Sequence, residues 1–96
     1  MSLGDYIVRR RKALGMNRSK LAHVIWGSTY RAGSTVHTNY STLELWERGG
    51  VSPYEHNRKL LAKALRVPAL VLDLEEHGIP YAINHETNVI EILSDA

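Results

Sequence analysis

The sequence predicts a mainly α protein of four to five helices closed by a C-terminal β-hairpin. Three observations carry that reading. Apolar residues recur every three to four positions up to about residue 74, the spacing of an amphipathic helix. Glycines stand where helices should stop, at Gly15 and Gly49-Gly50. Beyond Gly78 the periodicity changes to two β-rich runs flanking a turn-like stretch. At 96 residues, with 44% apolar and 23% charged content, the chain has the size and make-up of one globular domain.

The first helix is expected over Leu3 to Leu14, with Leu3, Ile7 and Leu14 on one face and Arg11 beside them. Arg9, Arg10, Arg11 and Lys12 crowd its second half, where positive charge favours the helix dipole. Asn17 is the expected N-cap of a second helix from Arg18 to about Trp26, with Leu21, Ala22 and Ile25 inward. Residues 27–38 are polar and glycine-punctuated and read as a loop. A third helix begins near Asn39 to Ser41. Either Asn39 caps it, or Ser41 with Glu44 forms a capping box. Leu43, Trp46 and Glu47 are expected to face inward, and Gly49 ends the helix. Ser52 is the expected cap of a fourth helix, with Pro53 at its first position and Leu60, Leu61, Ala64 and Leu65 as its apolar side. Val67-Pro68 stops it, and Pro68 to Leu74 reads as a short fifth helix burying Leu70, Val71 and Leu74. Residues 79–83 and 89–93 are the strands of the hairpin. One hairpin is marginal in water, so it must pack on the helices or on another chain.

Net charge is only +2, but it is segregated. All twelve Lys and Arg lie between Arg9 and Arg66, with four acids in residues 1–66, for a net +8. Residues 67–96 carry six acids and no Lys or Arg, for −6. That division points to a body facing a polyanion and a tail directed elsewhere. No cysteine is present, which excludes disulfides and thiolate metal sites and fits a cytoplasmic setting. No apolar run approaches the roughly 20 residues of a membrane span, and no signal peptide is evident.

Four strings in order resemble the Cro/lambda-repressor-like helix-turn-helix family of DNA-binding transcriptional regulators. Residues 11–18, Arg-Lys-Ala-Leu-Gly-Met-Asn-Arg, are similar to its first helix and turn. Ser19-Lys20-Leu21-Ala22 is similar to the middle of its second helix, Leu43 to Gly49 to its recognition helix and stop, and Leu60 to Leu65 to the packing helix behind. The resemblance covers Leu3 to Val67. It implies a lambda-repressor-like bundle with a helix-turn-helix that binds duplex DNA. It also implies a structural ion pair between Arg11 and Glu47 that fixes the pose of the recognition helix. Two positions depart from the pattern. Ala22 and Glu47 stand 25 positions apart, about eleven more than usual, which places an insertion at about residues 27–38. Arg10 stands where leucine is common; its stem is expected to cover core surface while its head reaches solvent or phosphate.

A helix fits the major groove, and its first turn lies closest to the base edges. Asn39, Tyr40, Ser41 and Thr42 are therefore the expected base readers. Glu44 joins them, since a carboxylate can accept from cytosine N4. Arg18, Lys20, Arg31 and Arg48 are the expected phosphate contacts, which position without reading sequence. Arg58, Lys59, Lys63 and Arg66 read mostly as a solvated helix face. The inserted loop is a wing along the DNA backbone, with Tyr30, Arg31, Ser34 and Thr35 as donors, or a lengthened turn; proximity to DNA is favoured. Trp26 and Trp46 read as core and groove-wall residues.

The five histidines fall on different elements without a metal-ligand spacing, so no metal and no cofactor are expected. No P-loop pattern occurs, and the acids lie mostly in the tail rather than clustered as a nuclease needs. The expectation is thus not an enzyme but a dimeric, sequence-specific regulator of transcription, a repressor by operator occlusion. Residues 1–74 form its DNA-binding domain, and residues 75–96 an acidic hairpin that dimerises. The alternative is an antitoxin-like adaptor that holds DNA with its body and a protein partner with its acidic tail.

Overall fold

The computed structural model describes residues 3–27 and 36–93, with side chains throughout except at residues 36–39. Five helices are followed by a two-stranded antiparallel hairpin. They are α1 (Leu3–Ala13), α2 (Arg18–Trp26), α3 (Val36–Arg48), α4 (Glu55–Ala64) and α5 (Ala69–His77), then β1 (Tyr81–Asn84) and β2 (Val89–Ile92). The mainly α architecture expected from the periodicity is the one observed.

The helices pack in a closed circuit. α3 lies against α1 and α2, α4 against α2 and α5, and α5 returns to α1. Ile7, Leu21, Leu43, Leu61, Leu65, Val71 and Leu72, drawn from all five helical segments, are fully buried at the centre. Trp46 closes the core near the end of α3, its indole 5.5 Å from that of the half-buried Trp26 and tilted by 44°. At the start of α1, Gly4 meets the last turn of α3. A Cβ there would lie 2.6 Å from the Trp46 carbonyl oxygen and closer still to that of Glu47. Only a residue without a side chain lets the two backbones approach this far.

α1, α3, α4 and α5 end the same way. A residue in the left-handed region follows the helix, and its N–H and the next bond back to carbonyls of the last turn. Gly15, Gly49 and Gly78 occupy that position in α1, α3 and α5, with φ of 75°, 79° and 67°. Their bonds run from Gly15 and Met16 to Lys12 and Arg11, from Gly49 and Gly50 to Trp46 and Leu45, and from Gly78 and Ile79 to Glu75 and Leu74. In α4 the position is held by Arg66, at φ 59°, with Arg66 and Val67 donating to Lys63 and Ala62. α4 therefore stops at Arg66, before the Val67-Pro68 pair that the sequence names as its terminator.

Several boundaries differ from expectation. α3 begins at Val36, so residues 36–38, read as the end of a loop, are helical. The β-branched and polar residues there have poor helix propensity, but extending a helix already nucleated around the buried Leu43 and Trp46 adds one hydrogen bond per residue fixed and is far easier than starting one. Asn39 and Ser41 consequently sit inside the helix and cannot cap it, and no capping box forms. α4 begins at Glu55, not after Ser52. The Ser52 hydroxyl donates to Glu76 instead, the Pro53 side is buried, and Arg58 reaches back to the Pro53 carbonyl. The Ser52 bond first, then Arg58, holds the Glu76 carboxyl below its usual range. α5 runs three residues past Leu74, buries Leu72 and leaves Leu70 exposed. Asn17 caps α2 as expected, its Oδ1 accepting from Lys20 N at 2.8 Å.

The acidic segment does not simply point away from the basic body. Asp73 and Glu76 on α5 receive Arg58 at 2.8 and 3.0 Å, and Glu75 lies 3.6 Å from Arg9. Arg58 is thus a tie between α4 and α5, not part of a solvated face. The Arg10 head, expected at solvent or phosphate, donates from Nε to the Leu65 carbonyl at the end of α4. Tyr81, Ile83 and Ile90 of the hairpin pack on the core. Asn84 Oδ1 accepts from Glu86 and Thr87 N–H groups and tightens the turn.

An L-residue in the left-handed region carries about 1–2 kcal/mol of strain that glycine lacks, partly offset by glycine's greater unfolded-state entropy. Arg66→Gly is therefore expected to stabilise the protein by about 0.5–1 kcal/mol in urea unfolding. A destabilised variant would show that the Arg66 side chain contributes more than its backbone costs.

Candidate functional site

α3 presents two unlike faces. Leu43, Trp46 and Glu47 turn inward, while Ser41, Leu45 and Arg48 turn to solvent. These outward residues recur at the four- and three-residue spacings that put them on one helical ridge. Leu45, 47% exposed, is an apolar group on that ridge that the sequence reading left out. Its spacing from Ser41 and Arg48 is the signal that identifies it.

Behind the ridge lies a buried ion cluster. Glu47, its side chain 2% exposed, is bound by the Arg11 guanidinium through two bonds, Nε to Oε2 at 2.9 Å and Nη2 to Oε1 at 3.1 Å. Arg11 Nη1 also donates to the Met16 carbonyl, which fixes the turn between α1 and α2. The fork-to-fork geometry is the strongest form of a carboxylate–guanidinium pair. The Arg11–Glu47 link implied by the family resemblance is thus formed.

A second guanidinium joins from α2. Arg18 Nε donates to Glu47 Oε1 at 3.0 Å, and Arg18 Nη1 to Glu44 Oε2 at 3.2 Å. The Arg18 head lies over the Tyr40 ring, 5.4 Å from its centroid. Burial works against the Arg18 charge, but Glu47 and then Tyr40 outweigh it and raise its pKa. Arg48 Nη2 meets the other oxygen of Glu44 at 2.8 Å, one turn along α3. Two carboxylates and three guanidiniums therefore join α1, α2 and α3.

The residues expected to read bases and hold phosphates are only partly gathered. Tyr40, Ser41, Thr42 and Glu44 follow one another on α3, with Ser41 exposed and Tyr40, Thr42 and Glu44 half-buried. Tyr40 and Glu44 are turned toward Arg18. Asn39 lies within α3, one residue ahead of Tyr40, and its side chain is outside the described residues. Arg18 and Arg48 meet at Glu44 on the same surface, and Arg48 is exposed; Lys20 is exposed on α2, with no described side-chain contact to α3. Tyr30, Arg31, Ser34 and Thr35 lie outside the described residues.

A different concavity lies at the far side, an open groove of about 640 Å³ between α1, the end of α5 and the hairpin. Ala13, Leu74, Ile79 and Ile83 give it apolar walls. The Tyr81 hydroxyl donates to Glu75 at 2.6 Å there, and burial with that bond pushes the phenol well above its usual range. Among the described residues no group of three or more His, Asp or Glu is arranged to hold a metal ion, and no helix is long and apolar enough to cross a membrane.

No family model, curated protein or solved structure matches this chain. Its site is therefore described by its own geometry: a helix clamped through Glu47, with an outer ridge of Ser41, Leu45 and Arg48.

Removing one partner of a buried pair leaves the other charge uncompensated, at roughly 3–5 kcal/mol. Glu47→Leu is expected to lose that much in urea unfolding. Adding Arg11→Met should restore part of the loss, because an apolar pair replaces an orphaned guanidinium. Strictly additive losses in this cycle would show that the two side chains are not coupled.

Proposed function

We propose that this protein is a double-stranded DNA-binding regulator of transcription, acting as a two-fold dimer that represses by occupying its operator. The observation that carries the reading is the pose of α3. One face is locked to α1 and α2 by the Glu47 cluster, and the opposite ridge of Ser41, Leu45 and Arg48 is open to solvent. A helix of 13 residues is about 20 Å long and, with side chains, about 10–12 Å across, which suits a major groove of about 12 Å. Ser41 offers a donor and acceptor to base edges, and Leu45 an apolar surface for a thymine methyl group. Arg48 on the ridge and Arg18 beside it are cations suited to phosphates, and the exposed Lys20 on α2 is a further candidate. The resemblance of Leu3 to Val67 to Cro/lambda-repressor-like regulators supports the same reading. In this view the chain is a binding protein that makes and breaks no bonds.

The C-terminal hairpin supports the dimeric part. Val89, Ile92 and Leu93 are exposed, and β1 and β2 pair only with each other among the described residues. A two-stranded ribbon with open edges and exposed apolar groups is suited to pairing with its counterpart in a second copy. Two recognition helices held by such a dimer would meet successive major grooves about 34 Å apart. The adaptor reading has less support, since Asp73, Glu75 and Glu76 serve arginines of their own chain. Only Glu86 and Glu91 remain as exposed acids of the described hairpin.

Selection from random duplexes should return a palindromic motif. Binding to it should weaken with salt at a slope of about −0.9 per phosphate neutralised, and Lys20→Ala or Arg48→Ala should each reduce that slope by about one. A flat salt response, or no enriched motif, overturns the reading.

Ile92→Glu combined with Leu93→Ser is expected to give a folded monomer in sedimentation, with at least a tenfold weaker hold on the palindrome. A variant that stays dimeric places the subunit contact elsewhere.

A further inference from the structure

Glu44 and Glu47 lie one turn apart on the same helix, both bound to Arg18, yet their surroundings differ. Glu47 is 2% exposed and held by three guanidinium bonds. Glu44 is 31% exposed and held at the surface by one guanidinium on each oxygen, Arg18 at 3.2 Å and Arg48 at 2.8 Å. Arg48 is itself 71% exposed, and a pair so open to water contributes little to stability. One carboxylate is therefore permanent and the other exchangeable.

Arg18 makes the exchange specific. Its Nε edge is anchored on Glu47, and its head lies over the Tyr40 ring, so the guanidinium has a fixed orientation. The remaining edge opens toward the α3 surface and presently meets Glu44. An oriented guanidinium edge beside a second arginine is a site for a tetrahedral oxyanion. We infer that Glu44 is a built-in counterion that fills this Arg18–Arg48 anion site in the free protein and must be displaced when a DNA phosphate enters it. The inference rests on the DNA-binding reading and names a discriminating residue within it.

The consequence is selective. With Glu44 in place the cluster of three arginines and two glutamates carries +1; without its charge the three arginines and Glu47 would carry +2. A displaced Glu44 stands beside the phosphate backbone as a repelling charge unless a donor meets it. A cytosine N4 amino group on the base edge is such a donor. A duplex offering that donor compensates the displaced carboxylate, and a duplex lacking it does not. Discrimination then comes from penalising the wrong partner rather than from tightening the right one.

The test compares the wild type with Glu44→Gln, which keeps the size and the acceptor oxygen but removes the charge. Glu55→Gln is the control, because Glu55 is an exposed glutamate on α4 paired to Lys59. Fluorescence anisotropy is read across a salt series on the selected duplex and on a scrambled duplex. For Glu44→Gln the expected result is a gain of about five- to tenfold on the scrambled duplex, with a salt slope steeper by about one. The selected duplex should change less than twofold, so that the specificity ratio falls by the same five- to tenfold, and thermal unfolding should be nearly unchanged. Equal behaviour of Glu44→Gln and Glu55→Gln overturns the inference, as does a gain of the same size on both duplexes. If the wild type binds no duplex even at low salt, the DNA-binding reading fails and this inference with it.

Discussion

The carboxylate of Glu47 is the point on which the arrangement of the first three helices depends. It is nearly inaccessible to water, and a lone charge in that position would be strongly disfavoured. Arg11 and Arg18, from two different helices, together supply the compensation. The cluster can exist only if α1, α2 and α3 hold one relative pose, because each guanidinium reaches a defined edge of the same carboxylate. Apolar contacts around Leu21, Leu43 and Trp46 supply the non-directional part of the packing. The ion cluster supplies the orientation, and Gly4 removes the side chain that would hold α1 and α3 apart.

Much of this was legible in the residues. The helix count, the Asn17 cap, the glycine stops and the hairpin follow from spacing and from residue types with narrow conformational roles. The Arg11–Glu47 pair was legible only through the family resemblance, since nothing local links positions 36 apart. The errors share a physical origin. Ser52 has the chemistry of a cap, yet its hydroxyl serves Glu76 on another helix. Asn39 and Ser41 have the same chemistry and lie inside α3. A short polar side chain announces that it will bond to something; it does not announce whether the partner is local.

The charge pattern taught a related lesson. A run of acids after residue 66 and a basic body before it read as two regions with separate partners. Half of those acids instead lie on α5 within reach of the body's own arginines or of Ser52 and Tyr81. Segregation along the chain became pairing in space because α5 folds back onto α1 and α4. The cations left around the α3 ridge are consequently fewer than composition implies. They are also more sharply placed: Arg48 stands open, and Arg18 is oriented by Glu47.

The side-by-side joining of α2 and α3 has a consequence for how such a protein can change. Arg18, Glu47 and the paired indoles of Trp26 and Trp46 fix one helix against the other through their flanks. The aim of the outer ridge is thus written into side chains of the two helices themselves. Drift in sequence is tolerated least at Arg18, Glu47 and the two indoles, where a change of shape or charge re-aims α3 against its neighbour.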